Sequence, residues 1–129
     1  MLRVGTDTYI GTKEADQILK ETPDAEQWDR LTVPEKERCL QTAARRMETL
    51  HYVGRKHSIF QVMAFPRDMS RFIPKAVKQA QAWEALSVAQ AQKAWTTSRN
   101  SLFKMDEAMC SMEAVNLLRP YLLLRTAAG

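Results

Sequence analysis

Apolar residues recur three and four positions apart along two long stretches of the chain, and this spacing predicts two long amphipathic helices. In the first stretch, residues 32–53, the apolar stripe consists of Leu40, Ala43, Ala44, Met47 and Leu50. In the second stretch, residues 74–95, the stripe consists of Val77, Ala80, Trp83 and Leu86. Alanine also occupies other sides of the second stretch, so we expect this helix to have more than one neighbour.

The sequence also marks the ends of the first long helix. Thr32 and Glu35 have the spacing of a capping box, and Pro34 lies in the first turn, where a missing N–H costs no helical hydrogen bond. Gly54 is the predicted stop. Three arginines of this helix fall largely off the apolar stripe: Arg38, Arg45 and Arg46.

Shorter patterns predict helices towards the two ends of the chain. Residues 12–21 indicate a short helix with Thr12 as its cap, and a further helical turn is expected around Trp28. Residues 111–124 indicate a final helix of about two turns, which Pro120 ends or kinks.

Two segments lack a helical pattern. Residues 55–72 are apolar as well as basic, so we expect them to form a connector that packs against the body of the protein. Pro66 and Pro74 keep the residue before each of them out of helical geometry and so fix the entry and exit of this connector. Residues 96–109 indicate a loop or a short extended arm.

These elements predict an all-α fold, a small bundle of about four helices with a loop or arm before the last one. The scarcity of glycine, four residues in 129, agrees with helices. We divide the chain into a single helical domain, residues 1–120, and an extended C-terminal tail, residues 121–129. The first eleven residues lack the apolar core of a secretory signal, so synthesis in the cytoplasm is expected.

Charge is distributed unevenly along the chain. Residues 1–31 carry a net charge of −3, residues 32–78 carry +6, and residues 79–129 carry +1. Such asymmetry is typical of a protein with a nucleic-acid or acidic partner, and also of a subunit whose one end meets the opposite end of its neighbour.

The residue types that carry catalysis are scattered. His51 and His57 are six positions apart rather than the four that place two ligands on one helix face, and Cys39 and Cys110 form no Cys-x-x-Cys pair. The chain contains no glycine-rich phosphate loop and no Gly-x-Ser-x-Gly motif. We therefore expect neither an enzyme nor a metal or cofactor site, and two reduced cysteines.

The basic middle third admits two interpretations. Its arginines and lysines could line a surface for phosphates, and four aromatic residues interleaved with them could stack on single-stranded bases. Alternatively the aromatic residues are core, which their apolar surroundings favour. The four are Tyr52, Phe60, Phe65 and Phe72.

The order and spacing of several short motifs resemble those of a known family. The motifs are Tyr9-Ile10 before Glu14-Ala15-Asp16; Trp28 ahead of the Thr32-capped helix; Tyr52 and Gly54; Phe65-Pro66-Arg67; Ile73-Pro74 before the alanine-rich helix; and Glu113-Ala114 followed by the run from Leu117 to Leu122. Together they resemble the head–tail connector (adaptor, or head-completion) proteins of long-tailed bacteriophages, some of which are labelled DnaT-like single-stranded-DNA-binding proteins. The likeness covers about residues 4–85 and 113–122.

The resemblance implies a virion protein that forms a ring, typically of twelve copies, under the portal. Such a ring extends the channel for double-stranded DNA towards a tail-side neck, stopper or tail-terminator protein. The alanine-rich helix would be a wall between subunits. The portal-docking tail would comprise Tyr121, Leu122, Leu123, Leu124 and Arg125. Candidates for the subunit interface or the DNA channel are Arg67, Arg71, Lys75 and Lys78.

The alternative function is a single-stranded-DNA-binding protein that acts in phage replication. It would explain the basic middle third and the second label of the family. Deletion of residues 121–129 distinguishes the two: it should abolish partner docking by a connector and spare DNA binding by a replication protein.

Overall fold

Five α-helices and one 3-10 helix make up the described part of the chain, and no β-strand occurs there, which confirms the all-α prediction. The computed structural model describes residues 2–58, 61–67, 72–97 and 109–123, with backbone alone for 92–97. The helices are α1 (Thr12–Leu19), α2 (Ala25–Asp29), α3 (Val33–Glu48), α4 (Lys75–Thr97) and α5 (Met112–Leu118), followed by a 3-10 turn at Arg119–Tyr121. The short α2 is the helical turn predicted around Trp28.

The alanine-rich α4 lies at the centre of the fold and contacts all four other α-helices. Its small side chains are buried on several sides, as at Ala80, Ala82 and Ala85, and this lets the neighbouring helices approach closely. The expectation of several neighbours is confirmed. Those neighbours all belong to this same chain.

The capping box at the start of α3 is confirmed. The Thr32 hydroxyl accepts a hydrogen bond from the backbone N–H of Glu35, and the Glu35 carboxylate accepts one from the backbone N–H of Thr32. At α1 the predicted cap was wrong by one residue, because Gly11 holds the N-cap position and no side chain caps the helix.

The first long helix ends at Glu48, five residues before the predicted boundary. Side chains replace the hydrogen bonds that a further helical turn would make to the last carbonyls of α3. The Thr49 hydroxyl donates to the carbonyl of Arg46, and the Tyr52 hydroxyl donates to the carbonyl of Met47. Gly54 lies beyond the helix, where its φ of 87° places it in the left-handed region that favours glycine.

The chain after α3 is extended, and it pairs with the residues that follow the 3-10 turn. The N–H of Val53 donates to the carbonyl of Tyr121 at 2.8 Å, and the N–H of Leu123 donates to that of His51 at 2.8 Å. Residues 121–123, the start of the predicted tail, are therefore attached to the helical body. The rest of that tail, and most of the predicted 96–109 arm, lie outside the described residues.

Candidate docking surface

The connector after α3 is held in place by one arginine. The guanidinium of Arg67 donates to the carbonyls of Val53 at 2.9 Å and Ala64 at 3.2 Å, and also to those of Tyr52 and Gly54. It lies about 6 Å from the centre of the Tyr52 ring. Four backbone acceptors thus engage the donors of Arg67, which gives this predicted interface or channel residue a structural role within the subunit.

The other predicted interface or channel residues have different surroundings. Lys75 is exposed at the start of α4. Lys78, one turn later, forms an ion pair with Glu14 at 3.2 Å. Arg71 lies outside the described residues. Of these four candidates, Lys75 is thus the one that lies exposed and forms no ion pair with another described residue.

A buried ion pair joins α3, α4 and the start of α5. The Arg46 guanidinium and the Glu84 carboxylate are 2.5 Å apart, and both side chains are at most 1% exposed. Glu84 also accepts hydrogen bonds from the backbone N–H groups of Cys110 and Ser111, each at 2.9 Å. The sequence analysis missed this site, because Arg46 lies off the apolar stripe and yet points into the core.

A second buried polar network joins α4 to the N-terminal segment. The side chain of Gln81 accepts from the N–H of Tyr9 at 2.9 Å and donates to the carbonyl of Leu40 at 2.9 Å. The Tyr9 hydroxyl donates to Glu48 and accepts from the N–H of Phe65. Burial and the Glu48 carboxylate both raise the pKa of Tyr9 above its usual range, so the phenol keeps its proton and remains a donor.

The aromatic residues of the basic middle third divide between core and surface. Tyr52 and Phe65 are buried, with ring centroids 4.7 Å apart in an edge-on arrangement, and this confirms the interpretation of both as core. Phe72 is 75% exposed, so that interpretation is wrong for it. Phe60 lies outside the described residues.

The exposed ring of Phe72 borders an apolar groove of about 340 Å³. Three parts of the chain form it: residue 53 after α3, residues between 65 and 74 before α4, and the 3-10 turn. Its apolar lining consists of Val53, Phe65, Phe72, Pro74, Pro120 and Tyr121, and Arg67 contributes the single charge. Because the donors of Arg67 are engaged with carbonyls, this groove offers mainly apolar surface to a partner.

The predicted docking tail begins beside this groove. Tyr121 packs edge-on against Phe65, with ring centroids 5.8 Å apart, and Leu122 is half-buried. Leu123 is 60% exposed although its N–H is fixed to His51. Leu124 and Arg125 lie outside the described residues. The described chain therefore ends at a residue whose backbone is fixed to the body.

The two cysteines differ in their surroundings. Cys39 is buried on α3, and burial raises the pKa of its thiol to about 11. Cys110 is exposed, and the two cysteines form no disulfide. Among the described residues, no three histidine, cysteine or carboxylate side chains group together as metal ligands. In the same residues, no helix is both long and apolar enough to cross a membrane.

Residues 2–110 match the model of a family described as "Putative DnaT-like ssDNA binding protein". The chain belongs to this family. The match ends just before α5, so Pro120 and Tyr121, which complete the groove, lie beyond it. Comparisons with curated proteins and with solved structures gave no significant match.

Proposed function

We propose that this member of the DnaT-like family is a subunit of a ring-shaped head–tail connector, which docks under a phage portal and extends the DNA channel towards the tail. The observation that carries the proposal is the anchored C-terminal segment beside an exposed apolar groove. Two backbone hydrogen bonds fix residues 121–123 to residues 51–53, and exposed Leu123 leads into the apolar tail. A short apolar segment that leaves a fixed base suits docking into a groove of another protein.

The proposal also accounts for the modest supply of cations. Arg46 is buried in an ion pair, Arg67 is engaged with backbone carbonyls, and Lys78 is paired with Glu14. In the basic middle third, five described cations are exposed: Arg38, Arg45, Arg55, Lys56 and Lys75. A channel through which DNA slides needs only weak, non-specific attraction to phosphates, and this modest supply suits such a channel.

The second candidate function is single-stranded-DNA binding, which the description of the family favours. Binding of this kind combines a basic groove with aromatic rings on which bases stack. Among the aromatic side chains of the described residues, Phe72 is the one that is exposed, and exposed Lys75 follows it three positions later. Tyr52 and Phe65, which the sequence offered as further stacking partners, are buried. We therefore rank this function second.

Two measurements on the full chain separate the candidates. The first is capture by purified portal rings, compared with a chain that ends after Leu123. Because that truncation retains the pairing of residues 121–123 with 51–53, it removes the tail without opening the body. The connector proposal predicts that the full chain is captured and the truncated chain is not.

The second measurement is titration into labelled single-stranded DNA at low and near-physiological salt. Binding that disappears at the higher salt concentration agrees with a connector. Tight binding that survives salt, shows a defined site size and is unchanged by the truncation would instead establish the DNA-binding function.

A further inference from the structure

The apolar groove has a basic surround. Within three positions of its lining residues, the described chain places four further cations, whereas Asp68, the one carboxylate in that range, lies outside the described residues. These cations are Arg55, Lys56, Lys75 and Arg119, all of them exposed. An occupant with apolar side chains flanked by carboxylates would complement this groove.

A surface with that chemistry exists elsewhere on the same chain. Along α2 and the turn before it, exposed Glu21, Glu26 and Asp29 outnumber exposed Lys20 and Arg30, and Val33, which is 58% exposed, follows at the start of α3. We call this surface the α2 face. Glu26 forms an ion pair with Arg30 at 3.7 Å, and both side chains are more than 70% exposed. Exposed ion pairs of this kind contribute little to stability. Glu26 can therefore leave Arg30 and pair with another cation at little cost in free energy.

The groove and the α2 face lie at different ends of α4. Pro74, just before α4, lines the groove, whereas Gln90 near the other end bonds to Asp24 at 3.2 Å and Gln27 at 2.9 Å beside the α2 face. From Lys75 to Gln90 an α-helix rises about 22 Å. The two surfaces therefore cannot meet within one subunit, but they can meet between two copies.

We infer that the groove receives the α2 face of a second copy of this chain, with Val33 over the apolar lining and the carboxylates of Glu26 and Asp29 against the basic surround. The contact is heterologous, because each copy uses two different surfaces, and repetition of such a contact closes a ring when the rotation per subunit allows. The inference rests on the proposed connector function and names the surfaces through which its subunits meet.

Two variants block one surface each. Phe72→Ser with Lys75→Glu alters the groove, and Glu26→Lys with Asp29→Lys alters the α2 face. All four side chains are exposed, so these variants are expected to fold. The matched control changes an exposed apolar residue and an exposed cation away from both surfaces, Val4→Ser with Lys13→Glu.

Sedimentation velocity from micromolar to millimolar protein tests the inference. The wild type and the control should associate as concentration rises, and each blocked variant should remain monomeric. An equimolar mixture of the two blocked variants should form a dimer and nothing larger, because one intact groove and one intact α2 face remain between them. A wild type that stays monomeric throughout, or association that survives both sets of changes, would overturn the inference.

The same variants show whether DNA occupies the groove, and they separate failure of the proposed contact from failure of the connector function. Loss of single-stranded-DNA binding in the groove variant, with association intact, would assign the groove to nucleobases and overturn the inference. If the wild type is captured by portal rings but never self-associates, the contact is wrong and the connector function stands. Head-to-tail association without portal capture would support the contact and count against the connector.

Discussion

Replacement of Glu84 by glutamine is expected to destabilise the protein strongly. Both carboxylate oxygens of Glu84 accept hydrogen bonds: one faces Arg46 and Cys110, and the other faces Cys110 and Ser111. Glutamine has nearly the same shape but only one acceptor oxygen, and its amide N–H₂ group would oppose one of these donors.

The magnitude follows from the burial of both charges. Glu84→Gln leaves the Arg46 guanidinium, which is 1% exposed, without its carboxylate. Loss of one partner from a buried ion pair costs about 3–5 kcal/mol, because the remaining charge stays desolvated. Since single domains have stabilities of about 5–15 kcal/mol, this substitution removes a large part of the total.

The assay is urea unfolding followed by circular dichroism, with the ion pair of Glu14 and Lys78 as the internal control. That pair is partly exposed, at 46% and 34%, so Glu14→Gln should cost less than about 1 kcal/mol. Arg46→Met and the double variant complete a cycle that isolates the coupling between the two charges. If Glu84→Gln shifts the free energy of unfolding no more than Glu14→Gln does, the reasoning on buried charge is refuted.

Three further predictions concern the segment between α3 and α4 and the core. Arg67→Ala, which removes the donors to four carbonyls, should speed hydrogen exchange around residues 52–54, and Lys75→Ala should not; equal exchange in both variants would contradict the role given to Arg67. Tyr9→Phe should cost about 1–3 kcal/mol, because the buried N–H of Phe65 loses its acceptor, and an unchanged urea midpoint would count against this. With a thiol pKa of about 11, buried Cys39 should resist a thiol reagent at pH 8 under native conditions while exposed Cys110 reacts; two fast thiols would show that Cys39 is accessible.

Features that depend on neighbours along the chain could be predicted from the sequence. The capping box of Thr32 and Glu35 needs only residues three apart, and the structure shows both of its hydrogen bonds. The periodicity of α4 depends on spacing alone. Because alanine occurs on several of its sides, the sequence also indicated that α4 would have several neighbours, as it does.

The ends of the elements were predicted less well, because distant residues determine them. Gly54 appeared to stop α3, but the helix ends at Glu48. The residues between them leave the helix to pair with the chain near Tyr121, almost seventy positions away. No local pattern encodes that pairing.

Buried charge was the main feature that the sequence analysis missed. Helical spacing put Arg46 off the apolar stripe, and its partner Glu84 is 38 residues away. One signal was present: Glu84 is the only carboxylate in the whole of α4, among alanines and glutamines. A single carboxylate in such a helix indicates a buried cation elsewhere in the chain, as Arg46 is here.

Arg67 was placed correctly on a constrained segment, but its partners could not be foreseen. The sequence showed an arginine directly after Pro66 and made it a candidate for the subunit interface or the DNA channel. Its acceptors in the structure are backbone carbonyls, which every residue carries, so residue types give no clue to them. The exposure of Phe72 could likewise not be predicted, because an aromatic residue two positions before a proline is as compatible with the core as with the surface.

The anchoring of α5 at both of its ends has a consequence for how this protein can diverge. Glu84 fixes the backbone at Cys110 and Ser111, and the pairing with residues 51–53 fixes the chain beyond the 3-10 turn. The position of α5 is therefore set by these contacts with the body and does not depend on the length of the chain between α4 and Cys110. Insertions and deletions there should be tolerated far better than in the 55–67 connector, so relatives of this protein are expected to vary in length at that one place while they keep the acid of α4.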